Sequence, residues 1–246
     1  MPDLSRTEER PIRVGCLIIT IDGPAGAGKS TMARLLASRL AFSLLDTGAL
    51  YRAVAIHLMR QGISPEDSSV PQEALKSMDL NVETAVGSMK IFLGAEDISG
   101  LLRDEKVGEA ASAFSAKHEV RCALLDLQRV IGRKGRVVAE GRDMGTVVFP
   151  DAEVKFFITA ALDERSRRRF KELVERGEDA DWSEVRGEMN LRDHRDESRT
   201  AAPLTRAHDA VVVDTTGLSV SEVLERMIAH IANKLPEALD VSGLLE

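Results

Sequence analysis

Residues Leu17 to Ala37, LIITIDGPAGAGKSTMARLLA, decide the fold of this chain. A β-branched apolar run comes first, then a glycine-rich loop, then apolar residues at helical spacing, so the stretch predicts a strand, a loop and a helix. Four residues of the loop fit the pattern G-x-x-x-x-G-K-[ST], namely Gly23, Gly28, Lys29 and Ser30. Such a loop surrounds phosphate oxygens with backbone N–H groups, and the following helix N-terminus adds partial positive charge. The stretch therefore predicts a phosphate-binding loop.

The same pattern assigns a role to each part of this loop. The lysine of the pattern reaches the outer phosphates and the hydroxyl reaches magnesium, so Lys29 is a predicted catalytic residue and Ser30 the predicted metal ligand. The loop residues predicted to hold a nucleoside triphosphate are Gly23, Pro24, Ala25, Gly26, Ala27, Gly28, Lys29, Ser30 and Thr31.

Composition argues against several classes of partner. The 246 residues include 33 Lys and Arg against 40 Asp and Glu, a net charge of −7, so we expect neither nucleic acid nor a membrane as a partner. No apolar segment precedes the first strand, and no apolar run is long enough to cross a membrane. The two cysteines, Cys16 and Cys122, lack metal-ligand spacing, and we expect them to be reduced packing residues. A cytoplasmic protein is predicted.

Strand and helix patterns alternate along the chain, which predicts the α/β class with helices on both faces of a mostly parallel five-stranded sheet. Residues 63–100 depart from this alternation, since short alternating segments separated by glycine turns predict a small β-containing insertion. We expect a flexible extension at 1–14, one domain over 15–235 and a flexible tail at 236–246.

Polar side chains follow each predicted core strand. In an open parallel sheet, ligands bind beyond the carboxyl ends of the strands, so these residues are expected to converge. Arg52, Arg142 and an arginine-rich helix after Ile158 lie at such positions. Because guanidinium groups bind phosphate in a bidentate manner, the concentration of arginine in an acidic chain suggests a second phosphorylated ligand. The alternative for the helix arginines is a solvated face paired with glutamate.

Three segments together resemble bacterial cytidylate kinases, the CMP/dCMP kinases of the nucleoside monophosphate kinase group. They are Ile21–Ser30, Leu45–Arg52 (LDTGALYR) and Glu140–Asp151 (EGRDMGTVVFPD), and the resemblance extends to Arg192–Arg199, Ala202–Leu204 and Val213–Thr216. The phosphate loop alone indicates only an NTPase. The resemblance covers about residues 17–235 and implies a three-layer P-loop core, a monophosphate-binding part that includes the insertion, and a helical lid at about 163–180.

The resemblance also implies site residues. The reaction would transfer phosphate from ATP, with Mg²⁺, to CMP or dCMP. The implied acceptor-binding residues are Thr47, Tyr51, Arg52, Ser112, Arg121, Arg142, Asp143, Arg192, Asp196 and Arg199. Besides Lys29, the implied catalytic residues are Arg142, Asp143 and Arg168, and Arg165 and Arg169 of the lid would bind ATP. Taken alone, Ser112 could be a small helix residue, Arg121 a solvated one and Tyr51 a packing residue.

Alternatives remain at this point. UMP, dTMP or shikimate could be the acceptor, because kinases for these substrates share the loop and lid. A GTP-binding switch is less favoured, since no Asn-Lys-x-Asp tetrapeptide occurs in the chain. We expect a monomer whose ligands are small molecules.

Overall fold

Short apolar runs form the strands, and longer amphipathic segments form the helices. The computed structural model describes residues 17–236. Its strands are β1 (Ile18–Asp22), β2 (Ser43–Asp46), β3 (Leu80–Ala85), β4 (Ser88–Leu93), β5 (Glu96–Asp97), β6 (Val137–Gly141), β7 (Val154–Thr159) and β8 (Val211–Asp214). Its helices are α1 (Lys29–Leu40), α2 (Thr47–Arg60), α3 (Gln72–Lys76), α4 (Glu105–Phe114), α5 (His118–Arg133), α6 (Leu162–Glu175), α7 (Trp182–Ser198) and α8 (Val220–Lys234).

The main sheet has five strands in the order β2-β6-β1-β7-β8, and every neighbouring pair is parallel. In register, Asp46 of β2 lies opposite Glu140 of β6, and Asp22 of β1 lies opposite Gly141. The insertion forms a separate antiparallel sheet, β3-β4-β5. The predicted fold class is therefore confirmed, and the strand register brings three carboxylates to one edge of the sheet.

Side chains that alternate along the strands pack into two hydrophobic clusters, one on each face of the main sheet. On β1, Ile19 and Ile21 pack with α1 and α8, whereas Ile18 faces the other cluster, formed with α2, α4 and α5. Burial on both faces is typical of a parallel sheet between two layers of helices. The three-layer core holds the carboxyl ends of the strands in fixed positions.

One helix differs from the sequence expectation. The sequence predicts a helix from about Leu101 to Ala116, but the chain forms a short 3₁₀ turn and then begins α4 at Glu105. Asp104 is extended, and its carboxylate accepts hydrogen bonds from the backbone N–H groups of Lys106 at 2.8 Å and Val107 at 3.4 Å. An aspartate that caps the next helix in this way ends the preceding one.

Other expectations meet different outcomes. Cys122 is exposed, so the prediction that it packs in the interior is wrong. Cys16, the extension at 1–14 and the tail beyond residue 236 lie outside the described residues. Within residues 17–236, none of the helices combines the length and the apolar character needed to span a membrane.

Candidate active site

A cleft of about 1220 Å³ opens at the carboxyl ends of the main-sheet strands. Its lining includes the phosphate loop, the first turn of α2, and parts of α4 and α7. The cleft brings together the following predicted site residues: Ala25, Gly26, Gly28, Lys29, Ser30, Thr31, Thr47, Tyr51, Arg52, Ser112, Arg121, Arg142, Asp143, Arg168, Arg169, Arg192, Asp196 and Arg199. Gly23, Pro24, Ala27 and Arg165 do not line it.

The phosphate loop requires glycine where it leaves β1. Gly23 has φ +146°, and a Cβ atom at this position would overlap the carbonyl oxygen of Ile158 on β7. Gly28 has φ +95° and caps α1, whose first residue is Lys29. These conformations allow the backbone to turn tightly before the helix begins. The N-terminal N–H groups of α1 therefore face the cleft end lined by the loop.

Lys29 is buried and already lies across the loop, since its Nζ donates a hydrogen bond to the carbonyl oxygen of Pro24 at 2.8 Å. Burial lowers the pKa of Lys29 to about 7, and the nearby positive charge of Arg142 lowers it further in the same direction. Both causes disfavour the ammonium form in the free protein. An incoming polyphosphate would favour that form.

Two carboxylates at the ends of β2 and β6 lie beside Ser30. The Oγ atom of Ser30 donates a hydrogen bond to Oε1 of Glu140 at 2.7 Å. Asp46 caps α2 by accepting from the backbone N–H of Ala49 at 2.9 Å. Burial raises the pKa of Asp46 to about 7, and the adjacent charge of Glu140 raises it further. Sequence reasoning gave Glu140 no role and placed Asp46 only within the acceptor segment Asp46–Arg52, although the positions of both at strand ends were a signal.

Three arginines of the cleft lie close enough to repel one another. Burial lowers the pKa of Arg192 to about 10, with further lowering by Arg142 and Arg52. Nε of Arg142 donates to Oδ2 of Asp196 at 2.7 Å, whereas within residues 17–236 the guanidinium of Arg52 has no hydrogen-bond or ion-pair partner. Arg192 also forms no ion pair within residues 17–236, so two of the three guanidinium groups lack one, which suits an anion.

Asp143 is surrounded by cationic and aromatic side chains. It is 2% exposed and forms an ion pair with Arg121, and Nη2 of Arg199 lies 4.0 Å from its Oδ1. The guanidinium of Arg121 lies 5.6 Å from the ring centre of Tyr51. Burial raises the pKa of Tyr51 to about 12. This group offers a carboxylate, guanidinium N–H groups and a phenol within one part of the cleft.

Two predicted hydroxyl groups have partners inside the protein. Oγ1 of Thr47 donates to the carbonyl oxygen of Glu140 at 2.7 Å. Oγ of Ser112 accepts a hydrogen bond from Nη1 of Arg195 at 3.0 Å. Sequence reasoning missed Arg195, although it lies within the Arg192–Arg199 segment that carried the resemblance.

The lid arginines divide into two groups. Arg165 is buried beneath the phosphate loop, where it donates to the carbonyl oxygens of Ala160 at 2.9 Å and Ala25 at 3.1 Å and to Asp193 at 2.7 Å. Arg168 lines the cleft and donates to the carbonyl oxygen of Thr215 at 2.8 Å. Arg169 also lines the cleft and forms an ion pair with Glu105 of α4.

Asp22 is a further buried carboxylate that sequence reasoning left without a role. It accepts hydrogen bonds from the backbone N–H groups of Met144 at 2.8 Å and Gly145 at 2.7 Å, which directly follow Asp143. Burial raises the pKa of Asp22 to about 7, against the lowering effect of these two N–H groups. The residue joins the start of the phosphate loop to the backbone that carries Asp143.

A parallel sheet, a phosphate loop and an arginine-lined cleft facing it define a P-loop kinase. The family model described as cytidylate kinase matches residues 19–233, and the chain belongs to this family. A "Cytidylate kinase" of Geobacter sp. (strain M21) is 45% identical over 226 residues, covering 92% of this chain and 97% of the relative. A "Cytidylate kinase" of Carboxydothermus hydrogenoformans is 46% identical over 216 residues, covering 88% and 97%. The chain is an enzyme, a nucleoside monophosphate kinase, and the alternatives raised above are not favoured.

Proposed function

We propose that this enzyme transfers the γ-phosphate of ATP to CMP or dCMP, forming ADP and CDP or dCDP. The observation that carries the proposal is the shared cleft, which is lined by the phosphate loop and by Arg52, Arg142 and Arg192, of which only Arg142 forms an ion pair within residues 17–236. Two anion-binding ends in one cleft suit a reaction that brings two phosphorylated substrates together. Family membership supports cytidine nucleotides as the acceptor.

The donor end would hold the ATP phosphates through the loop Gly23–Thr31. Backbone N–H groups and the α1 N-terminus supply partial positive charge, and Lys29 supplies a full charge once a polyphosphate lies beside it. Because Lys29 is already held across the loop by Pro24, little rearrangement is needed. Arg168 and Arg169 would cover the transferring phosphate, whereas Arg165 supports the loop from below.

The residues beside Ser30 fit a magnesium ion. Mg²⁺ prefers oxygen ligands and is usually bound through one or two carboxylates together with substrate phosphates. The hydroxyl of Ser30 and the carboxylates of Asp46 and Glu140 supply this donor set, and a cation would relieve the repulsion between the two carboxylates. When bound, the ion would neutralise phosphate charge. These three residues would hold it, directly or through water.

The acceptor end would bind the monophosphate through Arg52 and Arg142, and the ribose through Arg192 and Asp196. Burial would raise the pKa of Asp196, but Arg142 and Arg192 hold it below its usual range, so the carboxylate stays ionised as a hydroxyl acceptor. Ser112, Arg121 and Asp143 would read the cytosine edge, with Tyr51 and Thr47 beside them. Arg199 supports Asp143 and Asp196.

Phosphoryl transfer needs mainly alignment and charge neutralisation. A monophosphate oxygen is already ionised near neutral pH, so no general base is required. The cleft residues would cancel the repulsion between donor and acceptor phosphates, and Asp143 would orient the acceptor. Closure of the region around 163–180 would exclude water and limit ATP hydrolysis.

A coupled assay of ADP release tests the function. We expect turnover with CMP and dCMP to exceed that with UMP, dTMP and AMP, since the buried Asp143 and Arg121 suit the cytosine edge. Faster turnover with UMP or dTMP would contradict the base assignment, and no turnover with any monophosphate would contradict the proposed reaction.

We also infer a monomer that acts in the cytoplasm on small molecules. One chain supplies both ends of the cleft, which supports a monomer. Light scattering coupled to gel filtration would test this, and a dimer that dissociates only with loss of turnover would contradict it.

A further inference from the structure

Arg195 lies on α7 and reaches across the cleft to α4. Its Nη1 atom donates to Oγ of Ser112 at 3.0 Å, and this is the only hydrogen bond between α4 and α7 within residues 17–236. Over the same residues the guanidinium of Arg195 has no carboxylate partner. An exposed arginine that bonds a buried neutral hydroxyl across a cleft needs an explanation beyond surface charge.

The bond limits what the Ser112 hydroxyl can offer a ligand. A serine hydroxyl has one donor hydrogen and two acceptor lone pairs, and a guanidinium can only donate. Arg195 therefore occupies a lone pair and turns the O–H hydrogen away from itself. That hydrogen has no acceptor within residues 17–236, and Ser112 lines the cleft. Ser112 is thus prepared to donate to a ligand.

The cytosine ring edge matches a donating hydroxyl. Its N3 and O2 atoms are adjacent acceptors, whereas uracil carries an N–H donor at position 3. Asp143, which lines the same cleft, can accept from the cytosine amino group and would repel the O4 acceptor of uracil. A hydroxyl oriented to donate and a carboxylate that can only accept would together favour cytosine.

The helix that carries Arg195 also contacts the donor end. Met189 of α7 lies against Gly26 of the phosphate loop, and Asp193 is paired with Arg165 beneath that loop. One helix therefore contacts both the ATP loop and the serine expected to read the acceptor base.

We propose that Arg195 is a positioning residue that orients the Ser112 hydroxyl for the acceptor base and thereby strengthens selection of CMP over UMP. This inference rests on the proposed function. Loss of the guanidinium leaves Ser112 free to rotate and to present a lone pair instead of its hydrogen. The effect should therefore fall on the acceptor and not on ATP.

The test compares Arg195→Met with Arg186→Met, an exposed arginine of the same helix that pairs with Asp163 outside the cleft. We expect Arg195→Met to raise the KM for CMP about tenfold and to reduce the preference for CMP over UMP, with the KM for ATP changed less than about twofold. Arg186→Met should leave all three values unchanged. Thermal unfolding of both variants should match that of the wild type.

A double-mutant cycle with Ser112→Ala separates positioning from a merely structural effect. Since Arg195 acts through Ser112, the double variant should be no worse than Ser112→Ala alone. Independent, multiplying effects of the two changes, or an unchanged KM for CMP in Arg195→Met, would overturn the inference. A wild-type enzyme inactive on CMP would instead overturn the proposed function, so the two failures are distinguishable.

Discussion

At the scale of single residues, the cleft depends on ionisable groups held where burial opposes their charge. Asp22, Lys29 and Asp46 each have a pKa of about 7, and burial is the largest cause for all three. Such groups make the free protein less stable than neutral packing would. Their retention beside the phosphate loop is typical of a site whose charges are matched only when ligands bind.

Asp22 gives a prediction on pH-dependent stability. The unfolded chain loses this proton near pH 3.8, whereas the folded protein keeps it to about pH 7, so the folded state binds more protons between these values. The free energy of unfolding contributed by Asp22 therefore falls as pH rises through this window. When the pH rises from 5 to 7.5, the free energy of unfolding should fall by about 2 kcal/mol less in Asp22→Asn than in the wild type, because the variant has no proton to lose at this position.

Urea unfolding at the two pH values measures this difference. Asp126→Asn, which removes an exposed carboxyl from α5, is the control and should follow the wild type. The comparison uses the change in the free energy of unfolding between the two pH values and not its absolute value. The asparagine side chain of the variant also loses one of the two hydrogen bonds to the backbone of Met144 and Gly145, which lowers stability at both pH values. Parallel pH profiles for wild type and Asp22→Asn would show that burial does not raise this pKa.

At the scale of elements, the first turn of α6 packs beneath the phosphate loop. Arg165 lies in that turn, directly after β7, and its donors bind the backbone of Ala25 and Ala160 and the carboxylate of Asp193. Arg168, one turn further along, reaches the cleft instead. Helical spacing places Arg165 and Arg168 on one face of α6. Only the packing of Arg165 against the phosphate loop shows that it supports the loop, whereas Arg168 lines the cleft and is the predicted ligand-binding group.

Replacement of Arg165 by Met tests whether this residue supports the phosphate loop. The change leaves the buried acceptors of Ala25 and Asp193 unpaired, which costs about 1–3 kcal/mol, or roughly 3–9 °C in melting temperature. The KM for ATP should rise, because the loop loses its support, while the KM for CMP changes little. Arg167→Met, on the exposed side of α6, should alter neither value. Unchanged melting and ATP affinity in Arg165→Met would refute the supporting role.

Periodic elements were predictable because their pattern and their packing agree. The stretch Leu17–Ala37 forms a strand, a loop and a helix as predicted, namely β1, the phosphate loop and most of α1, since apolar residues recur at the period of each structure. The break at Asp104 was missed because it depends on a side-chain cap, which the spacing of apolar residues does not reveal. The π-helical turn at Met144–Val148 was missed because its first backbone N–H groups donate to Asp22, which lies 122 residues away from Met144.

Most residues of the candidate site were predictable from the sequence, whereas the contacts between them were not. Strand ends and the family resemblance predicted residues that the fold brings to one cleft, including Arg52, Arg142 and Arg121. Their roles remain predictions. The contacts of Arg195 with Ser112 and of Ser30 with Glu140 join distant segments, and a pattern along the chain carries no information on such pairs. The buried position of Arg165 was hidden for the same reason.

At the scale of the whole molecule, an acidic chain carries a positively charged cleft. The net charge is −7, yet among Arg52, Arg142 and Arg192 only Arg142 forms an ion pair within residues 17–236, with Asp196. Mutual repulsion among these guanidinium groups destabilises the free protein, and an acceptor phosphate would relieve it. The phosphate, more than the base or the sugar, should therefore determine how strongly the acceptor stabilises the fold.

Comparing CMP with cytidine tests this expectation, because the two ligands differ only in the phosphate. At a concentration near 100 times its Kd, CMP should add about 2.7 kcal/mol and raise the melting temperature by roughly 5–10 °C. Cytidine at that concentration should raise it by less than about 2 °C, since it leaves the arginines unmatched. Added salt should reduce the CMP shift by screening the charges. In Arg192→Met the difference between the ligands should shrink, whereas equal shifts in the wild type would show that the arginines do not bind the acceptor phosphate.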